Sequence, residues 1–177
     1  MNKSYRSRNV MMLALVALML CPTLFAQAQQ RGTVAFASPD GFLPAELSKH
    51  VGAMFLSPKT PAGLFVGYPS DGQDMDGFRN EMQQRVVKMF LHDAKDVTWT
   101  ATPLPPHKGI SEAGNLFYAS TEKMEVQLAF YVRSEGVAYG YYAMRHKNDG
   151  GKDGKFLKSD GTGVKALDSL AKTIVIK

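Results

Sequence analysis

The sequence predicts an α+β domain with a largely antiparallel sheet of about six to seven strands, a long central helix and a C-terminal helix. Three observations indicate this class. Short apolar segments bounded by Gly, Pro, Asp and Ser come in runs, first three and then four, instead of alternating strictly with helices. One long segment between the two runs has helical periodicity. A shorter amphipathic segment closes the chain.

The first 28 of the 177 residues are predicted to form a cleavable secretion signal. Three basic residues come first, residues 10–25 carry no charge, and Ala26-Gln27-Ala28 supplies the small residues that signal peptidase accepts. We therefore expect cleavage between Ala28 and Gln29 and a periplasmic or secreted protein. An uncleaved membrane anchor and lipidation at Cys21 are the alternatives, although the apolar run is short for a span and Leu20 is large for a lipidation site.

The remaining 149 residues carry 18 basic and 16 acidic side chains, so their net charge is near +2, and they contain no cysteine. This balance disfavours a nucleic-acid partner, which needs clustered basic charge. The missing cysteines exclude a disulfide, a thiolate nucleophile and a cysteine-ligated metal. No internal repeat is present, and we expect one domain over residues 32–177.

The first run of strands is predicted at residues 33–37, 51–56 and 63–68. A turn at Ser38-Pro39-Asp40-Gly41 should close the first of them, because proline fixes φ and glycine permits a positive φ.

Residues 75–94 are predicted to form the central helix. Its apolar residues recur at steps of three and four, which places them on one face, and Asp74 or Asp76 can cap its start. The residues of this face are Met75, Phe78, Met82, Val86, Met89 and Phe90.

The second run of strands is predicted at residues 97–101, 116–120, 126–133 and 137–145. The last two should form a hairpin around Ser134-Glu135-Gly136, with Gly136 left-handed. A polar loop at 147–162 and a helix marked by Val164, Leu167, Leu170 and Ile174 follow.

The hairpin register predicts two different faces. One is apolar and comprises Leu128, Phe130, Val132, Ala138, Tyr142 and Met144. The other comprises Gln127, Tyr131, Arg133, Tyr139, Tyr141 and Arg145. Tyrosine and arginine are enriched in interfaces, so this second face, here called the Tyr/Arg face, is the predicted partner-binding surface. The alternative is that a helix or loop of the same chain covers it.

Motifs for catalysis, metals and cofactors are incomplete. Asp71, Asp74 and Asp76 resemble a calcium loop, but key EF-hand positions hold Gly72 and Gln83, and we expect no metal and no cofactor. A hydrolase assembled from His107, Ser111 and Glu112 stays open as an alternative function. A carrier of an apolar ligand, held by Phe78, Met82, Phe130 and Met144, is another.

Several segments together resemble the Mog1/PsbP-like family. They are the strand at 33–37 running into Ser38-Pro39-Asp40-Gly41-Phe42, the central helix, the strand around Phe117-Tyr118, the hairpin through Tyr142, and Leu167-Asp168-Ser169-Leu170 in the closing helix. The resemblance implies an α/β/α sandwich and a binding or assembly role, without catalytic residues. We therefore expect an exported accessory protein that binds a protein partner or small ligand through one sheet face.

Overall fold

The computed structural model describes residues 29–31, 34–45, 53–91, 97–107, 113–148 and 152–176. The predicted signal peptide lies outside these ranges. Within them the chain forms ten strands and two helices. The strands are β1 (Gln29–Arg31), β2 (Val34–Phe36), β3 (Leu43–Pro44), β4 (Ala53–Leu56), β5 (Ala62–Gly67), β6 (Thr100–Leu104), β7 (Gly114–Ser120), β8 (Met124–Val132), β9 (Ala138–His146) and β10 (Val175–Ile176). The helices are α1 (Met75–Phe90) and α2 (Lys165–Thr173).

Seven strands form one sheet in the order β3-β4-β5-β9-β8-β7-β6, and every neighbouring pair is antiparallel. A small second sheet has the order β1-β2-β10. The predicted α+β class, the mainly antiparallel sheet and the two helices are therefore confirmed. No helix formed by the described residues is long and apolar enough to cross a membrane.

The two faces of the large sheet support two separate apolar layers. Helix α1 packs on one face, where Phe78 and Met82 lie against Phe65 and Phe130 of the sheet. Helix α2 and the small sheet pack on the opposite face. Helices thus lie on both sides of the seven-stranded sheet.

Helix α1 begins as predicted. The Asp74 carboxylate accepts a hydrogen bond of 2.7 Å from the Gly77 amide, which satisfies one of the free amides of the first turn. Phe78, Met82 and Val86 are fully buried, as the periodicity predicted. Met89 was predicted on the same face, but it lies in the last turn and 39% of its surface is exposed.

The β8–β9 hairpin has the predicted register. Phe130 lies opposite Gly140, and the Arg133 amide donates to the Val137 carbonyl across the turn. Gly136 has a φ of 78°, the left-handed conformation that the loop requires.

Two groups of strands differ from the predictions. The strand expected at 97–101 is β6, which begins at Thr100 and includes Pro103. Proline is tolerated there because β6 is an edge strand of the large sheet. Strands β1, β3 and β10 were not predicted, since two or three residues are too few to display a periodicity.

Candidate binding site

The structure brings the six residues of the Tyr/Arg face together on strands β8 and β9 and at Arg133, directly after β8, but it does not expose them as a group. Tyr139 is fully buried, and the exposed fractions of Tyr131, Tyr141 and Gln127 are 1%, 2% and 5%. Only the two arginines keep appreciable contact with solvent. The expectation of an exposed aromatic cluster was therefore wrong, and the alternative that the chain covers this face describes the molecule.

The covering segment is held by side chains of the face itself. The Gln127 amide donates to the Leu157 carbonyl at 3.1 Å and accepts from the Leu157 amide at 2.7 Å. The Tyr141 hydroxyl donates to the Lys155 carbonyl at 2.7 Å. These three bonds fix residues 155–157 across the sheet and satisfy backbone groups of a segment without regular structure.

The two arginines also contact the chain's own elements. Arg133 donates to the carbonyl of Ile174, the C-cap residue of α2, at 3.2 Å. The positive charge of Arg133 lies at the C-terminal end of α2, where it interacts favourably with the negative end of the helix dipole. Arg145 pairs with Glu125, and its guanidinium lies over the Phe156 ring at 4.4 Å from the centroid. The bonds of Gln127, Tyr141 and Arg133 and the contact of Arg145 with Phe156 anchor the C-terminal part of the chain to the sheet, whereas the Arg145–Glu125 pair joins β9 to β8.

His107, Asp168 and two tyrosines form a compact cluster at one end of the face. The rings of Tyr131 and Tyr139 stack at 5.2 Å, and the buried His107 ring meets both edge-on. His107 Nε2 lies 2.7 Å from Asp168 Oδ1. Burial, with the nearby Asp168 charge as a second cause, raises the pKa of Tyr131 to about 12. A pocket of about 150 Å³ opens beside this cluster.

Two glycines make room for Tyr131. A Cβ at Gly114, its partner on β7, would lie 2.6 Å from the Tyr131 ring, and a Cβ at Gly161 would lie 2.7 Å from its hydroxyl oxygen. Both distances are too short for any larger residue. Gly161 also has a φ of 77°, so both the close contact with Tyr131 and the backbone conformation require glycine at this position.

A larger cleft of about 640 Å³ lies beside Tyr141, where the β4–β5 turn and the start of α2 meet. Phe42, Tyr141, Val164 and Ala166 form its apolar wall. This volume is within the range of about 300–1,000 Å³ that small-molecule sites occupy, and such sites combine an apolar lining with a few polar groups.

The charged groups of this cleft are mainly cationic. Lys59, Lys155 and Lys165 all line it, together with one carboxylate, Asp168. Within the described part of the chain, no ion pair uses any of these three lysines. The cleft therefore offers three ammonium groups without a carboxylate partner among the described residues.

The hydrolase residues predicted from the sequence are not seen as a group. Ser111 and Glu112 lie outside the described residues, and His107 contacts Asp168 instead. His146 lies near Asp153, with Nδ1 at 3.3 Å from its carboxylate. The described residues contain no cluster of three or more His, Cys, Asp or Glu side chains placed to hold a metal ion.

The residues of the carrier alternative are packed against one another. Ring centroids of Phe78 and Phe130 are 6.0 Å apart, and Phe65 contacts both. Met82 is fully buried in the same layer, and Met144 lies at its margin. These contacts are those of a filled apolar layer.

Sequence reasoning missed Asp168 and the three lysines of the cleft. Asp168 is separated from His107 by 61 positions, and the lysines come from a turn, an irregular segment and a helix start. No local spacing connects such residues. One signal was present. The sequence predicted polar and aromatic side chains on one sheet face and left the polar segment at 147–162, which could cover that face, without a place in the fold.

No protein-family model matches the chain, and no curated protein matches its sequence.

Proposed function

We propose that this protein is an exported accessory protein that binds a small ligand beside the Tyr/Arg face, in the cleft at Tyr141. The family resemblance supports a binding role. So does the layered arrangement, with α1 and α2 on opposite faces of an antiparallel sheet, which is compatible with a Mog1/PsbP-like sandwich. Export rests on the predicted signal at residues 1–28.

The cleft is the observation that carries this proposal. A protein partner on the Tyr/Arg face would need exposed tyrosines, but Tyr131 and Tyr139 are covered by the chain's own elements, and only 2% of the Tyr141 surface, at the cleft, is exposed. The cleft is open to solvent and contains an apolar wall with polar groups at its margin. That combination suits a small molecule better than a flat protein surface.

A thermal-shift screen with a filled-cleft variant tests the proposal. Thr60 is exposed and lines the cleft, so Thr60→Trp should occlude it without disturbing the core. Thr102→Trp, at an exposed position of β6, is the matched control. A ligand at 100 times its dissociation constant adds about 2.7 kcal/mol of stability, which a melt detects.

We expect ligands that raise the melting midpoint of wild type and of Thr102→Trp but have no effect on Thr60→Trp. Ligands that stabilise all three proteins equally would bind elsewhere, and the proposal would then be wrong.

One observation favours hydrolysis as a second candidate function. A buried histidine hydrogen-bonded to a carboxylate, as in His107 and Asp168, is the arrangement that orients an imidazole as a general base. Turnover of a simple aryl ester that is lost in His107→Gln would support this candidate. Equal turnover by wild type and His107→Gln would exclude it.

A further inference from the structure

We infer that the cleft beside Tyr141 takes an anionic ligand with an apolar body, its acidic head held by Lys59, Lys155 and Lys165. The head would be a carboxylate, sulfonate or phosphate. This inference rests on the proposed function and adds the chemical class of the ligand.

The backbone at each of the three lysines is ordered by its surroundings. Lys59 lies in a turn where the Ser57 hydroxyl accepts hydrogen bonds from the amides of Lys59 and Thr60. The carbonyl of Lys155 accepts the Tyr141 hydroxyl, and Lys165 is the first residue of α2. Cations on ordered backbone form a more persistent field than cations on a free loop.

Their charges are available to a ligand. All three residues are exposed, and none takes part in an ion pair with another described residue. Among the described residues that line the cleft, the one carboxylate is Asp168, and it is engaged by His107. An acidic head therefore meets an excess of positive charge.

The start of α2 adds to this field. Its N-cap residue is Val164, whose carbonyl accepts from the Leu167 amide, and no side chain of the described residues caps the first-turn amides as Asp74 does in α1. Because these amides carry the positive end of the helix dipole, an anion beside Lys165 would be favoured further.

The apolar wall explains why a bare inorganic anion would use the site poorly. Phe42 and Ala166, which are partly exposed, and the small accessible edges of Tyr141 and Val164 gain free energy from contact with an apolar body. Because the cleft has lysines on one side and an apolar wall on the other, it should prefer an anion that also has an apolar body.

Two fluorescent probes that differ only in charge provide the test. Anilinonaphthalene sulfonate and N-phenylnaphthylamine share the same aromatic body, and only the first carries a sulfonate. We expect wild-type protein to bind the sulfonate more tightly, by about fivefold or more at low salt. Added salt should narrow that difference, because it screens the exposed ammonium groups.

Lysine variants locate the effect. Lys59→Ala, Lys155→Ala and Lys165→Ala should each weaken sulfonate binding by about two- to fivefold, the size of one partly solvated charge pair, and leave the neutral amine unchanged. Lys88→Ala is the control, since Lys88 is an exposed residue of α1, which packs on the other face of the sheet. Thr60→Trp should remove binding of both probes.

The outcomes separate this inference from the proposed function. If both probes bind equally and are lost in Thr60→Trp, the cleft binds ligands without anion selectivity, and only this inference is overturned. If Thr60→Trp leaves the binding of both probes unchanged, the cleft does not bind them, and the inference fails together with the proposal on which it rests. Equal losses in Lys88→Ala and Lys165→Ala would also overturn it, because the effect would then be general surface charge.

Discussion

Tyr141 and Tyr142 are neighbours on β9 whose hydroxyl groups have opposite environments. The Tyr141 hydroxyl donates to the Lys155 carbonyl, whereas the buried Tyr142 hydroxyl has no hydrogen-bond partner among the described residues. Leaving a buried polar group unpaired costs about 1–3 kcal/mol.

These environments predict opposite effects of the same substitution. Tyr141→Phe should lower the free energy of unfolding by about 1 kcal/mol, because the Lys155 carbonyl loses its donor. Tyr142→Phe removes only an unpaired hydroxyl and should leave stability unchanged or raise it by up to about 1 kcal/mol. Urea unfolding of both variants measures the difference, and a larger loss for Tyr142→Phe would contradict it.

At this scale the sequence predicts which residues share a face but not what covers them. The period-two alternation of β8 and β9 placed Gln127, Tyr131 and Tyr141 together correctly. Gln127 and Tyr141 are covered by Leu157 and Lys155, which belong to a polar segment with no periodicity. Such a segment is positioned by contacts between distant residues, and these are not encoded in any local pattern.

Helix α1 provides the clearest prediction for an element. Phe78 and Met82 are fully buried against the sheet, so Phe78→Ala and Met82→Ala should each lower the free energy of unfolding by about 2–5 kcal/mol. Gln84 is exposed, and Gln84→Ala is the control, with an expected change below about 0.5 kcal/mol. Equal losses at Met82 and Gln84 in a urea melt would show that the buried face is a different one.

Long helices and strands were predicted more accurately than short ones. Helix α1 and the long strands β8 and β9 repeat their pattern several times, so the pattern outweighs single exceptions. Two-residue strands such as β3 exist only because a neighbouring strand pairs with them. β6 was displaced because Pro103 indicates a break locally, while an edge position tolerates it.

For the whole molecule, the predicted signal peptide determines which residue should begin the mature chain. If signal peptidase acts after Ala28, the mature protein begins at Gln29, which is the first residue of β1 and pairs with Phe36 of β2. Mass spectrometry of native material should find Gln29 at the N-terminus of protein in the soluble extracytoplasmic fraction. An intact Met1, or a lipid-modified Cys21, would contradict export by cleavage at this site.

The pKa values of four tyrosines predict how the stability of the fold depends on alkaline pH. Burial raises the pKa of Tyr118, Tyr131, Tyr141 and Tyr142 above the ordinary value of 10.0, with a hydrogen bond to Glu125 as a second cause at Tyr118. A raised pKa means that the folded chain holds these protons more tightly than the unfolded chain does. Their contribution to stability is therefore complete below pH 10 and is lost as the pH rises through the folded values.

Ultraviolet titration of the phenolate band should display this difference. In the native protein the absorbance should lag behind that of the same protein in denaturant as the pH passes 10. The free energy of unfolding should then fall by about 1.4 kcal/mol per pH unit for each proton that only the folded chain retains. In Tyr131→Phe the lagging amplitude should shrink by one tyrosine, because the group whose pKa lies at about 12 is gone. Coincident native and denatured curves would mean that water reaches these hydroxyls, and that the segment over the Tyr/Arg face does not stay closed.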